Sequence, residues 1–306
     1  MILDKKQGEA LLAVTETGSF EQAAARLHLT ASAVSQRVRA LEVQLGQPLV
    51  VRSRPCRPTR AGQRLLQYLV RASLLDAEFR AETAAEQAAP LPVAIAVNAD
   101  SLATWFLPAL GDFLNRERVL IDLIVDDQDH TYALLEAGLA LGCVATEPQP
   151  LRGCVAEPLG TMRYRAMAAP AFRGRWFPQG MTPEAVRRAP VLVFNRKDRL
   201  QADFLKRTFR LLPGSYPCHY VPASDPFMQA LLLGFGWGML PDLQTGGQLA
   251  AGHLVELAPD HPIDVGLFWH SWKVQSPRLE RLSQTVITAA RRVLDQDPHP
   301  KHDSIN

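Results

Sequence analysis

Residues 18–46 constrain this chain more than any other stretch, because two short helices and the turn between them can be laid out residue by residue. Ser19 followed by Gln22 has the spacing of a capping box, in which each side chain satisfies a backbone N–H at the helix start. It opens a helix through Ala23–Arg26. His28-Leu29 makes the turn, Thr30 is a second N-cap candidate, and Gly46 is placed to end the second helix. Within that helix Val34, Val38, Leu41 and Leu45 recur at i, i+4, i+7 and i+11, a single apolar stripe. At about 100° per residue, the opposite side carries Ser32, Gln36, Arg39 and Val43. Hydroxyl, amide and guanidinium groups on one outward face suit the base edges and phosphates of a major groove, so this helix-turn-helix predicts binding to double-stranded DNA. The expected contact set is Ser19, Thr30, Ala31, Ser32, Ala33, Ser35, Gln36, Arg37 and Arg39. The competing reading is an amphipathic helix whose polar face is merely solvated.

Charge distribution separates this head from the rest. The 306 residues carry a net charge of only +2, yet residues 1–71 hold eleven Lys/Arg against five acids, leaving a body with an excess of four acids. Only the head is therefore suited to meet polyanionic phosphate. After Gly46, short β-prone runs alternate with proline and arginine, which predicts a two-stranded wing. Its tip, Arg52–Arg57, puts Arg52, Arg54 and Arg57 in reach of backbone phosphate or a minor groove, the alternative being a solvated basic loop.

From Thr59 or Arg60 a helix is expected to run to about Gln87, with no proline before Pro90. Leu65, Leu69, Ala72, Leu75 and Phe79 form its apolar stripe, which a second copy of the chain or the chain's own body would cover. From Pro90 strands and helices alternate. Strands are expected at Val93–Val97, Val119–Val125, Cys143–Thr146, Arg163–Ala168, Val191–Phe194 and Cys218–Val221. The helices between them and at Pro277–Leu294 imply a parallel-rich α/β architecture. About 200 residues of this pattern suggest two subdomains with a cleft between them. No run approaches the apolar length of a transmembrane helix and Met1–Gln7 lacks the order of a signal peptide, so a cytoplasmic protein is expected. Cys56, Cys143, Cys154 and Cys218 show no metal-ligand spacing.

Head and body together resemble the LysR-type transcriptional regulators over essentially the whole chain. The residues that carry the resemblance are Gly18-Ser19-Phe20, Ala23-Ala24, Leu27, Ser32-Ala33-Val34-Ser35-Gln36, Leu41-Glu42, Leu45-Gly46, Pro58-Thr59 and Gly62. Gly234-Phe235-Gly236-Trp237-Gly238-Met239-Leu240-Pro241 resembles the family's glycine-proline signature. It follows a helix instead of opening one after a strand, which argues against a phosphate cradle. Asn98–Leu110 and Leu212–His219 resemble the arginine- and lysine-responsive branch. The resemblance implies a homodimer or tetramer that binds promoter DNA and senses a basic amino acid, with RNA polymerase as a further partner. Ala31-Ser32 departs from the Gln-Pro or Gln-Ser that many members carry, which removes a possible adenine contact.

The implied architecture is a winged helix-turn-helix domain (1–59), a linker or dimerisation helix (60–89), and a periplasmic-binding-protein-like effector domain. The latter divides into subdomain I (90–162 and 269–296) and subdomain II (163–268), followed by a disordered tail (297–306). In open α/β sheets ligands favour the carboxyl ends of strands, beside helix N-termini. Val93–Val97 runs into such a junction at Asn98–Ser101. Backbone N–H groups there, with the hydroxyls of Ser101 and Thr104, suit an α-carboxylate. Asp100, Asp127 within the Asp126–Asp129 run, and Asp225 are acceptors for cations, Trp105 suits an aliphatic stem or a cation–π contact, and Thr146 ends the third strand. Each has a plainer role: Asp100 and Asp225 as N-caps, the acidic run as a solvated loop, Trp105 as core.

An enzyme is not expected, since the chain carries no nucleophile elbow, zinc-protease helix or Walker loop, and its histidines are scattered. No catalytic residue, metal or cofactor is assigned, the expected ligand being a small-molecule effector. A transport-type binding protein would lack the basic head. The remaining alternatives are an effector-independent architectural DNA binder, such as an inhibitor of replication initiation, and a LysR-type regulator of a different small molecule.

Overall fold

The structure, a computed structural model, describes residues 4–83, 90–117, 119–126, 131–137 and 139–296. Helices α1 (Lys5–Thr17), α2 (Phe20–Leu27) and α3 (Ala31–Leu45) build the head. Each begins on a side chain that accepts an otherwise orphaned backbone N–H: Asp4 from Lys6 and Gln7, Ser19 from Gln22, Thr30 from Ala33. The stripe Val34, Val38 and Leu41 is buried with Leu11, Val14 and Ala23, so the face assigned from spacing is the face that packs. Strands β1 (Val50–Val51) and β2 (Arg57–Pro58) pair antiparallel as the wing. Glu42 of α3 anchors its base, accepting from the N–H of Leu49 at 2.9 Å and of Val50 at 3.3 Å.

Helix α4 (Arg60–Thr83) starts at Thr59, whose hydroxyl accepts from the Gly62 N–H and donates to the Pro48 carbonyl. It passes so near the wing that a Cβ at Gly62 would collide with the Leu49 carbonyl oxygen. Leu65 and Leu66 are buried in the head core and Leu69 packs at its edge. This corrects two of the five residues of the expected dimerisation stripe. Leu65 and Leu69 face their own head, because three helices alone leave that side of the core uncovered. Ala72 is half-buried, whereas Leu75 and Phe79 are 56% and 67% exposed. Residues 84–87, into which the helix was expected to continue, lie outside the described residues, as does the tail 297–306.

The body is mixed α/β, and its sheet is less parallel than the alternation of strands and helices predicts. Strand β3 (Leu91–Asn98) leads through α5 (Ala99–Ser101), a π-helical turn (Leu102–Phe106) and α6 (Leu107–Arg116) to its parallel neighbour β4 (Val119–Asp126). Helix α7 (Thr131–Glu136) precedes β5 (Gly142–Ala145), also parallel to β3. The long strand β6 (Cys154–Ala168) then enters the second half of the body. There α8 (Pro170–Trp176), α9 (Pro183–Arg188), β7 (Val191–Val193) and α10 (Leu200–Phe209) follow. Next come β8 (Cys218–Tyr220), α11 (Ser224–Leu232), β9 (Gly238–Pro241), α12 (Asp242–Ala250) and β10 (Val255–Glu256). Strand β11 (Ile263–Trp272) returns antiparallel along β6, and α13 (Pro277–Val293) packs back on the first half.

The main sheet runs β10–β6–β11–β5–β3–β4 with β9 also on β6, while β7 and β8 form a separate parallel pair. The β6–β11 pair belongs to both halves of the body, and Arg163 clasps Asp264 across it at 2.7 and 2.9 Å. The glycine-proline segment serves packing. A Cβ at Gly236 would meet the Pro190 carbonyl oxygen at 2.8 Å and one at Gly238 the Phe227 ring at 2.8 Å, with fully buried Trp237 between them.

Gly62→Ala is expected to destabilise the head by about 1–3 kcal/mol, the range for overpacking. Thermal melting by circular dichroism checks it; an unchanged transition would mean that α4 does not approach the wing this closely.

Candidate functional site

Two sites emerge. On the head, Ser32, Gln36, Arg39 and Val43 are exposed along α3, opposite its buried stripe. Ala31, Ala33, Ser35 and Arg37 are half-buried at its flanks. The hydroxyls of Ser19 and Thr30 serve as caps, that of Ser19 also donating to Glu21 at 2.7 Å. The wing arginines divide. Arg52 turns back onto the head, with its guanidinium 4.9 Å from the Phe20 ring centroid and donating to Ser35 at 3.3 Å, whereas Arg54 and Arg57 stand exposed.

In the body a cavity of about 270 Å³ lies where the β3–α5 junction meets the second half. Asn98, Ala99 and Asp100 form one wall. The loop Phe194–Arg199, α10, the start of α11, β9 and the first residues of β11 form the rest. The Asp100 carboxylate joins the two walls, accepting from the Ser224 hydroxyl at 2.5 Å and the Tyr164 hydroxyl at 2.8 Å. Burial pushes its pKa above the usual carboxylate range, and the two hydroxyl donors offset only part of that shift. No cation pairs with it among the described residues.

Two further buried groups have unmet hydrogen-bonding capacity. Asn98 is 1% exposed and neither its Oδ1 nor its Nδ2 has a partner among the described residues; Gln201 is 2% exposed and its Oε1 has none. Such atoms cost about 1–3 kcal/mol each when left unmet. Leu200, Phe227, Met239, Ile263 and Val265 give the lining an apolar part, and Lys197, Arg199 and Asp203 add charged groups on the wall of the second half. Asp198, also in the lining, accepts from the backbone N–H groups of Phe194 and Leu200, which sets the loop.

Of the six expected effector residues that lie among the described residues, Asp100 alone lines this cavity. Trp105 lies in the core, 4% exposed and edge-on to Phe106, because it continues the i, i+3, i+4 stripe that Phe106, Leu110 and Phe113 bury. Ser101 is fully buried beneath the junction, and Thr104 donates to the Asp100 carbonyl at 2.6 Å within its own helix. Thr146 follows β5, away from the lining. Asp225 is exposed in the first turn of α11, where neighbouring Ser224 points to the cavity instead. Asp127 lies outside the described residues, and nothing is described of the Asp126 side chain. Sequence reading missed Asn98, Tyr164, Gln201 and Ser224. Asn98 alone had a usable signal, being the last residue of a strand that ends at a helix start.

Residues 6–63 match the helix-turn-helix family described as bacterial regulatory helix-turn-helix protein, lysR family, and residues 90–291 match the LysR substrate binding domain. The chain belongs to the LysR family. As a member it is a DNA-binding transcriptional regulator and not an enzyme. The transcriptional regulator ArgP of Aeromonas salmonicida is 43% identical, over 95% of this chain and 98% of its own. The crystal structure of ArgP from Mycobacterium tuberculosis has a TM-score of 0.83 at 43% identity, covering 96% of this chain and 100% of that one. Full-length LysG from Corynebacterium glutamicum with bound effector Arg has a TM-score of 0.75 at 37% identity, covering 95% and 99%.

Asp100→Asn keeps the shape of the site and removes its charge. A raised carboxyl pKa contributes stability that is present at low pH and is lost as pH rises through the folded-state value. The variant is therefore expected to melt no lower than the parent at pH 8 while losing affinity for a cationic ligand at least about tenfold. In the parent protein, affinity should weaken as pH falls into the range where Asp100 protonates. Calorimetry across pH checks both statements; a pH-independent affinity would remove Asp100 from cation recognition.

Proposed function

We propose that this LysR-family regulator binds promoter DNA as a homo-oligomer and responds to lysine or arginine held in the cavity between the two halves of its body. The observation that carries this reading is the cavity's pattern: a buried, cation-free carboxylate, unmet amide groups, and an apolar middle. A basic amino acid has charged ends joined by an aliphatic stem, and so matches that pattern. The C. glutamicum relative with Arg bound supports it.

In this reading residues 1–59 read DNA and 60–89 link and dimerise. Residues 90–162 with 269–296, and 163–268, are the two effector subdomains. On DNA the contact set is the exposed α3 face with Arg54 and Arg57. Among the described residues no helix is long and apolar enough to cross a membrane, which fits action in the cytoplasm, beside RNA polymerase at promoters. Dimerisation falls to the outer part of α4, where exposed Tyr68 and Leu75 lie with Ala72 and Phe79 at spacings of four, three and four, the seam of a helix pair.

Saturating arginine or lysine is expected to raise the melting temperature and to alter the footprint on DNA enriched from a random-sequence pool. If both stay unchanged, the basic-amino-acid reading is wrong. Leu75→Glu should shift the protein toward monomer in sedimentation and weaken DNA binding; an unchanged sedimentation coefficient would place the dimer interface elsewhere.

A further inference from the structure

From the two walls of the cavity we infer that Asn98 and Gln201 are the residues that set its ligand's specificity and orientation. This rests on the basic-amino-acid reading and extends it to which end of the ligand lies where. Asn98 stands two residues before Asp100 at the carboxyl end of β3, so an acceptor, a donor and a carboxylate share one short segment. An α-amino acid head needs that combination: Asn98 Nδ2 donates to the α-carboxylate while Asp100 accepts from the α-ammonium. Gln201 comes from α10, on the other half of the body. Its Oε1 is an acceptor without a partner among the described residues, on a wall that also carries Lys197 and the Arg199–Asp203 ion pair. An acceptor there receives N–H from the ligand's side-chain cation.

The ligand's head thus rests on the first half of the body and its side-chain tip on the second, with the stem along Met239, Ile263 and Val265. Among the described residues neither the Asn98 amide nor Gln201 Oε1 has a hydrogen-bond partner to lose. Replacing Gln201 with an apolar side chain of similar length therefore removes recognition without removing a fold contact, which separates the proposal from a packing role.

The test uses the full-length protein, titrated calorimetrically with arginine and with agmatine, which lacks the α-carboxylate, and melted without ligand. Gln201→Met is expected to bind arginine about tenfold more weakly, with a ligand-free melting temperature equal to or above the parent's. Asn98→Ala should weaken arginine binding by a similar factor while leaving the already weaker binding of agmatine unchanged. Arginine binding by Gln201→Met at parental affinity, or a melting temperature that falls in step with affinity, overturns the Gln201 assignment. Equal losses for arginine and agmatine in Asn98→Ala overturn the orientation. A parent protein that binds neither arginine nor lysine overturns the basic-amino-acid reading itself, and this assignment with it.

Discussion

The antiparallel pairing of β6 with β11 is the contact on which the rest of the body depends. Through it the chain leaves the first half of the body and later returns, so both halves are held by one ladder of backbone hydrogen bonds. The ladder also positions the cavity. Tyr164 of β6 reaches Asp100, and Ile263 and Val265 of β11 supply apolar lining. At the far end of β11, Trp272 lies under the Arg71 guanidinium of α4, 4.3 Å from it to the ring centroid, and Gln67 donates to the Glu136 carbonyl nearby. One strand therefore touches the cavity with its first residues and the linker helix with its last. Among the described residues no other strand pairing extends into both halves.

The parts legible in sequence are those whose physics is local. Capping by Ser19 and Thr30, the left-handed end at Gly46 and the stripe Val34–Val38–Leu41 depend on neighbours within a few turns, and the head follows from them directly. The linker stripe was legible as a stripe but not in its partner, since spacing shows that Leu65 and Leu69 are buried without showing against what. Strand β11 escaped notice because Ile263–Trp272 interrupts apolar residues with aspartate, glycine, histidine and serine. Its pairing with β6 joins segments about a hundred residues apart, which no local period announces.

The site was legible at one point, Asp100, for a related reason. The strand-end rule finds the junction but not the direction of each side chain. Trp105 continues the buried stripe of Phe106, Leu110 and Phe113, and Thr104 bonds its own helix backbone. Gln201, by contrast, reads as one more polar residue on an amphipathic helix, and only burial without a partner distinguishes it. Ser224 and Asp225 illustrate the limit most sharply: adjacent residues at a helix start, where the charged one draws attention and the hydroxyl makes the contact.

The energetics of such a site suit a sensor. Coupling between a ligand site and a DNA reader requires only about 1–3 kcal/mol of difference between two arrangements. Each unmet buried amide group withholds about that much, and burial holds the Asp100 carboxyl above its ordinary pKa. A ligand that supplies their missing partners therefore favours the arrangement in which both walls reach it, without any large rearrangement of the core. The same groups explain discrimination. An apolar amino acid of equal size would leave the amides and the carboxylate unmet and bury them further, so its binding is opposed by the groups that favour a basic one. Sensitivity and selectivity thus have one physical source, polar groups that the fold itself leaves incomplete.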